Sequence, residues 1–185
     1  KQKMTLPQDT TRGRPISRKN RALTRSQALE IVRASDHCVL STCDKAGVPY
    51  GVPVTPVLVD EVIYFHATAR PESRRRENLL MNPAVSLCFI GKSTIIEDLF
   101  GVDYASAIVA GKASLVTEED ERLRAMRAII ARHAPHNPPE LNESYLKKGL
   151  PFTQVWKVEI ESVTGKARVG AERWKSGVSL KTLER

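Results

Sequence analysis

The stretch YFHATARPESRRRENLLMNP, from Tyr64 to Pro83, holds the residues best suited to do chemistry. Strand-like alternation through Tyr64, Phe65, His66 and Ala67 gives way to a predicted helix over 72–81, with Ser73, Arg74, Arg75 and Arg76 at its first turn. A helix start presents unpaired N–H groups and a partial positive charge of roughly half an elementary charge. Arginines there oppose the dipole, which is unfavourable unless an anion is present. A phosphate fits, because it can take helix N–H groups, the Ser73 hydroxyl and a bidentate guanidinium together. Successive helical residues diverge by about 100°, so the three arginines cannot all serve one anion. Glu72 stands four residues before Arg76, the spacing of a helical ion pair. That assigns Arg76 to the pair, and Arg74 and Arg75 to the anion. The competing reading is a solvated charge run closed by that salt bridge, and helical geometry alone leaves both open.

His66 ends the strand just upstream, where a hydrogen-bonded structural role competes with a catalytic one. The chain has four histidines, at 37, 66, 133 and 136, and none has metal-ligand spacing. His133 and His136 fall at a helix end and in a Pro-rich linker, where helix capping is the simplest role. Gly91-Lys92-Ser93 follows a strand but lacks the upstream glycine of a phosphate-binding loop. No Ser/His/Asp order and no paired carboxylates stand out.

The elements that must position these residues are legible from periodicity. Thr24-x-x-Gln27 is a capping box opening a helix that ends near Ser35, with Ala28, Leu29, Ile31 and Val32 on one face. Strands are predicted at 37–43, 48–59, 61–67, 84–90, 104–116 and 152–165. DKAG at 44–47 is a turn with Gly at the position that tolerates positive φ. The 48–59 strand carries three prolines, which implies an edge, a bulge or an interruption. Asn82-Pro83 stops the 72–81 helix. A loop is expected at 91–103, a helix capped by Thr117 at 117–134, and a linker with a short helix up to 151. The 104–116 strand is rich in small residues, which admit close approach of a flat group or another backbone. Six strands joined mostly by short turns favour a largely antiparallel sheet closed into a barrel, mainly β with flanking helices.

Composition bounds the partners. The net charge is +8 over 185 residues. Residues 1–25 alone carry +7, and the span 26–163 is about −3, so the basic charge sits in two terminal tails. A basic groove with stacking aromatics is not visible, which argues against a nucleic-acid binder. No apolar run approaches a membrane span and no secretory signal is apparent. Three cysteines, Cys38, Cys43 and Cys88, read as reduced core thiols of a cytoplasmic protein. The expected organisation is a flexible basic arm over 1–23, one domain over 24–166 and a basic tail over 167–185.

The segment VLSTCDKAGVPYGVPVTPVLVDEVIYFHATARPESRRRENLLMNPAVSLCFIG resembles the FMN-binding split-barrel family, the fold of pyridoxamine 5'-phosphate oxidase, and within it the nitroimidazole-resistance type of flavin protein. The resemblance spans roughly Ser26 to Lys166, and its most specific part is strand, Ser-Arg-basic, helix, Asn-Pro. It implies a six-stranded antiparallel split β-barrel binding FMN. It also implies that Ser73, Arg74 and Arg75 hold the flavin phosphate, with Asn78 on the same helix among the cofactor-binding residues. Val54, Thr55 and Pro56, and the strand Phe65-His66-Ala67, would border the isoalloxazine ring. His66 would face the substrate side as hydrogen-bond donor or proton source. Family members are homodimers with flavin sites between subunits, which would account for the small residues of 104–116. The resemblance thus implies an FMN-dependent oxidoreductase acting on a small organic molecule such as a nitroaromatic or quinone. A reduced nicotinamide is the candidate reductant, although no dinucleotide fingerprint is present. The alternative is a non-catalytic module of the same fold holding flavin or haem. The oxidase binds its pyridoxal substrate with a C-terminal segment containing Arg and His, whereas AERWKSGVSLKTLER at the end of this chain has no His, so pyridoxamine oxidation is not expected.

Overall fold

The structure, a computed structural model, describes residues 16–168. Of the expected arm over 1–23 and tail over 167–185, residues 1–15 and 169–185 lie outside the described residues. After a 3-10 turn at Lys19–Arg21, the elements run β1 (Ala22–Leu23), α1 (Arg25–Ala34), β2 (Cys38–Cys43), β3 (Pro49–Val54), β4 (Val57–Val59) and β5 (Val62–Thr68). They continue with α2 (Arg74–Met81), β6 (Ala84–Ile96), β7 (Gly101–Leu115), α3 (Glu119–His133), α4 (Pro139–Gly149) and β8 (Thr153–Arg168).

Local chemistry sets most of the boundaries. The Thr24 hydroxyl accepts from the Gln27 amide, and the Gln27 side chain accepts from the Thr24 amide at 2.9 Å, so the capping box forms. Asp44 Oδ1 accepts from the amides of Ala46 and Val48, both at 2.9 Å, and Gly47 takes φ +81° to close the β2–β3 turn. Asn82 Oδ1 accepts from the Ala84 amide at 3.1 Å where α2 stops before Pro83. Helix α3 starts one residue later than a Thr117 cap requires. Glu118 is its N-cap without a side-chain bond, and Glu119, Asp120 and Glu121 complement the helix dipole instead.

All strand pairs are antiparallel, in the order β3-β2-β6-β7-β8-β5-β4, with β1 added beside β8. The two ends of this order, β3 and β4, are separated in the chain by Thr55 and Pro56 alone. The sheet therefore rolls until its edges meet, and the split of the barrel falls at this two-residue joint. Its interior is filled by Leu40, Ile63, Phe65, Leu87, Phe89, Val109, Trp156 and Val158. A second cluster, built on Met126, Ile129, Leu146 and Val155, seals α3 and α4 against the outside of the sheet, where Val57 and Tyr64 pack on it.

Several expectations need correction. The described residues form eight strands rather than six. The predicted 48–59 strand is two, because Thr55 and Pro56 leave the ladder, as the prolines allowed. Ala22 and Leu23 belong to the sheet rather than to an arm, pairing with Lys166 and Gly165. The expected loop at 91–103 is mostly a β-hairpin: beyond a register shift after Ile90, Ser93 through Ile96 pair with Tyr104 through Gly101. The small residues of β7 also have an internal reason. Ala105, Ala107, Val109 and Ala113 point into the barrel, and α1 packs against β7 and β8. At Gly165 a Cβ would stand 2.7 Å from the Ala28 Cβ, so the helix needs that close approach.

Candidate functional site

The site is built at the split. Strand β4 pairs with β5 through Val57–Tyr64, Leu58–Ile63 and Val59–Val62, and there the ladder stops. Strand β5 runs on to Thr68, still paired with β8 on its other side. From Phe65 onward one edge of β5 therefore has no strand beside it among the described residues. Continuing the register would set Thr55 opposite His66, but the chain crosses to β3 instead and leaves a slit.

Alternation decides what faces this slit. Phe65 and Ala67 turn into the barrel, at 0% and 7% exposure, so their side chains do not face the slit. His66 takes the opposite face, alongside Tyr64 and beyond the patch sealed by α3. Its Nδ1 is buried without a hydrogen-bond partner among the described residues. Burial first, then the Arg75 guanidinium, then His133 hold its pKa below the ordinary histidine value. His66 is thus a neutral imidazole at neutral pH, able to donate from one nitrogen and accept at the other. On the joint, Val54 is in the core at 6% exposure, Pro56 is buried and Thr55 is exposed.

Helix α2 brings the arginines to the same place. Ser73 is its N-cap, but the hydroxyl makes no capping bond. The Arg75 guanidinium is half-buried, lies 5.9 Å from the centre of the Phe65 ring, and has its pKa lowered chiefly by burial. It has no carboxylate partner among the described residues. Arg74 is placed differently, stacked 4.5 Å above the Tyr50 ring and 3.9 Å from Asp44. Glu72 precedes the helix rather than opening it, and no Glu72–Arg76 ion pair forms among the described residues. Asn78 is 3% exposed and donates from Nδ2 to Thr42 Oγ1 at 2.9 Å, so in this chain it anchors α2 to β2.

The structure therefore gathers Thr55, Pro56, His66 and Arg75 around one slit, with Ser73 at the head of the helix that carries Arg75. It turns Val54, Phe65, Ala67 and Asn78 inward and leaves Arg74 on Tyr50. Sequence reasoning missed three supporting residues. Tyr50 carries Arg74, Thr42 holds Asn78, and His133 contacts the Pro56 carbonyl oxygen at 2.9 Å through Nε2. Only Tyr50 left a local sign, as an aromatic in a predicted strand near the basic helix.

Comparison with known proteins agrees with this architecture. Residues 24–167 match the family described as pyridoxamine 5'-phosphate oxidase, and the chain belongs to that family. A structure titled as a putative 5-nitroimidazole antibiotic resistance protein from Bacteroides thetaiotaomicron is similar, with 22% identity, a TM-score of 0.64, and 78% of this chain and 85% of that one covered. An FAD-binding protein from Mesorhizobium loti has 19% identity and a TM-score of 0.59, covering 80% and 98% of the two chains. A haem storage protein from Vibrio cholerae has 20% identity and a TM-score of 0.57, covering 75% and 92%. At these identities the likeness is one of fold. No protein of curated function matches the chain.

Proposed function

We propose that this member of the pyridoxamine 5'-phosphate oxidase family binds FMN at the slit and is an FMN-dependent oxidoreductase for a small organic substrate. The observation that carries the reading is Arg75. A half-buried guanidinium without a carboxylate partner is costly, and an anion beside it offsets that cost. The Ser73 hydroxyl, which makes no capping bond, and the N–H groups at the start of α2 supply the other donors a phosphate takes. Among the described residues there is a single such cluster at the slit, which favours FMN, with one terminal phosphate, over FAD.

When bound, the flavin supplies the hydride and electron chemistry, and the protein supplies binding, orientation and hydrogen bonds. Arg75 and Ser73 hold the phosphate, with Arg74 on Tyr50 adding positive charge. Thr55 and the open edge of β5 border the ring. His66, kept neutral, donates a hydrogen bond to the substrate or to the ring and relays a proton when the substrate is reduced. Candidate substrates are nitroaromatics and quinones, with a reduced nicotinamide as reductant.

The second subunit of a homodimer would complete the site. Pro53, Val39, Cys88 and Ile108 form a cross-strand row on the outside of the sheet, where Val39 and Ile108 are 40% and 41% exposed and Ile90, two residues along β6 from Cys88, is 62% exposed. An apolar sheet face of this kind suits association with a copy of itself. The free thiols Cys38, Cys43 and Cys88 fit a reducing cytoplasmic setting. Among the described residues no helix is long and apolar enough to cross a membrane.

Two observations favour a second reading, a non-catalytic haem carrier. His66 holds a buried nitrogen without a partner among the described residues, and the fold is shared with a haem storage protein. The absorption spectrum of the purified protein separates the readings. Flavin gives two bands in the near-ultraviolet and blue, and haem gives a Soret band. Turnover with a reduced nicotinamide then separates an enzyme from a flavin carrier.

A further inference from the structure

We infer that His133, the last residue of α3, is a positioning residue for the flavin site: its imidazole fixes the two-residue joint at the split of the barrel. The inference rests on the flavin reading above and concerns how one wall of that site is held.

The joint is poor in backbone partners. Thr55 and Pro56 lie outside both ladders, and Pro56 has no N–H to donate. The Pro56 carbonyl is a group through which the joint can be tied down, and His133 Nε2 meets it at 2.9 Å. A carbonyl oxygen only accepts, so Nε2 carries the proton and His133 is the donor. The bond spans 77 positions of sequence.

Helix α3 is held firmly enough to serve as the support. Near its start, Glu121 accepts from Lys157 Nζ at 3.0 Å and from the Tyr64 hydroxyl at 2.9 Å, which ties it to β8 and β5. At its end, Arg132 donates to the carbonyl of Ala34 at 2.8 Å and to Asp36 Oδ1 at 2.9 Å, just beyond α1. Between these points Met126 and Ile129 are buried against the sheet. His133 thus transmits the position of a packed helix to a joint that has no ladder of its own.

Two consequences follow for the site. With the Pro56 carbonyl taken, the polar groups the joint can still present are those of Thr55, which is exposed and lies along the slit from His66. His133 also stands close enough to His66 to help keep it neutral, together with Arg75. Releasing the joint would therefore disturb both walls of the slit.

The test compares wild type with His133→Ala and His133→Gln, using FMN as the probe. Gln keeps a side-chain N–H donor and Ala does not. Dissociation constants, the position and fine structure of the bound flavin absorption bands, and Tm are measured on the same samples. His133→Ala should bind FMN about 3- to 10-fold more weakly, the loss of one neutral hydrogen bond, and shift the bands. His133→Gln should recover most of both. A merely structural His133 would lower Tm in both variants and leave bands and affinity per folded protein unchanged, which would overturn the inference. Equal weakening by Ala and Gln would overturn it too, since a donated hydrogen bond would then not be what matters. A wild-type chain that takes up no FMN defeats the flavin reading itself, a failure seen before any variant is compared.

Discussion

Asn78 Nδ2 donates to Thr42 Oγ1 at 2.9 Å, and the same hydroxyl donates to the Tyr50 carbonyl at 3.2 Å, so α2, β2 and β3 are joined through one buried oxygen. Asn78 and Thr42 are 3% and 2% exposed. The helix that carries Arg75 is therefore fixed from beneath, and Tyr50, the platform under Arg74, belongs to the same chain of bonds. Asn78→Ala should destabilise the fold by about 1–3 kcal/mol. For a chain of this size each kcal/mol corresponds to about 2–4 °C in Tm. Because both residues share one bond, the Asn78→Ala, Thr42→Ala double variant should lose less than the sum of the single losses in a thermal-melt cycle. Strict additivity would show the two act separately.

Arg75→Ala should weaken FMN more than Arg76→Ala. A charged hydrogen-bond partner contributes about 1.5–3 kcal/mol, roughly ten- to hundredfold in affinity. Arg76 makes no ion pair among the described residues, and its removal should change affinity by less than about threefold, the scale of surface charge effects. Arg74→Ala should fall between, because its guanidinium is already engaged by Tyr50 and Asp44. Fluorescence titration of the three variants gives the order, and a larger loss from Arg76→Ala would reverse the assignment.

His66→Ala should retain FMN affinity and lose turnover. The phosphate donors lie on α2, so most of the binding energy survives, while acid–base assistance of this kind is typically about 10²–10⁴-fold in rate. The check is kcat per bound FMN on a panel of nitroarenes and quinones, with Tm measured alongside. An unchanged kcat with a lowered Tm would return His66 to a structural role.

The depressed pKa of His66 also predicts a pH dependence of stability. The folded chain resists a proton that the unfolded chain accepts near the ordinary value of about 6.5, so unfolding takes up protons in acid. Stability is fully present above that value and is lost as pH falls through the lowered folded value. Urea denaturation of wild type and His66→Gln at about pH 7.5 and about pH 5.5 should show a smaller acid loss in the variant. Equal losses would mean that other groups set the acid limit.

Most of what positions the site was legible because it is local. The capping box at Thr24, the positive φ of Gly47 and the stop at Asn82-Pro83 each depend on neighbours within a few residues. The helix start that carries Ser73 and the arginines, the proposed phosphate site, was legible for the same reason, since these residues are contiguous. What escaped depends on partners far along the chain. Gly91 to Ile96 looks like loop from its own composition, and Ile95 and Ile96 are strand because Val102 and Gly101 pair with them. Ser73, Arg74 and Arg75 were read as one group, but Tyr50 separates Arg74 from Arg75, and Tyr50 comes from a different strand. His133 read as a helix end because nothing near it in sequence points to Pro56. The small side chains of β7 were read as room for a partner, and the inward-facing ones line the barrel that α1 packs against.

The proposed FMN site rests on Arg75 and the start of α2 acting as its phosphate site. Parallel fluorescence titrations of the flavin-free protein with FMN and with riboflavin test it most directly, because the two ligands differ only in the phosphate. One FMN should bind per chain, riboflavin should bind at least about tenfold more weakly, as the loss of a charged hydrogen bond requires, and the gap should close in Arg75→Ala. Equal affinity for FMN and riboflavin in the wild-type protein would contradict it.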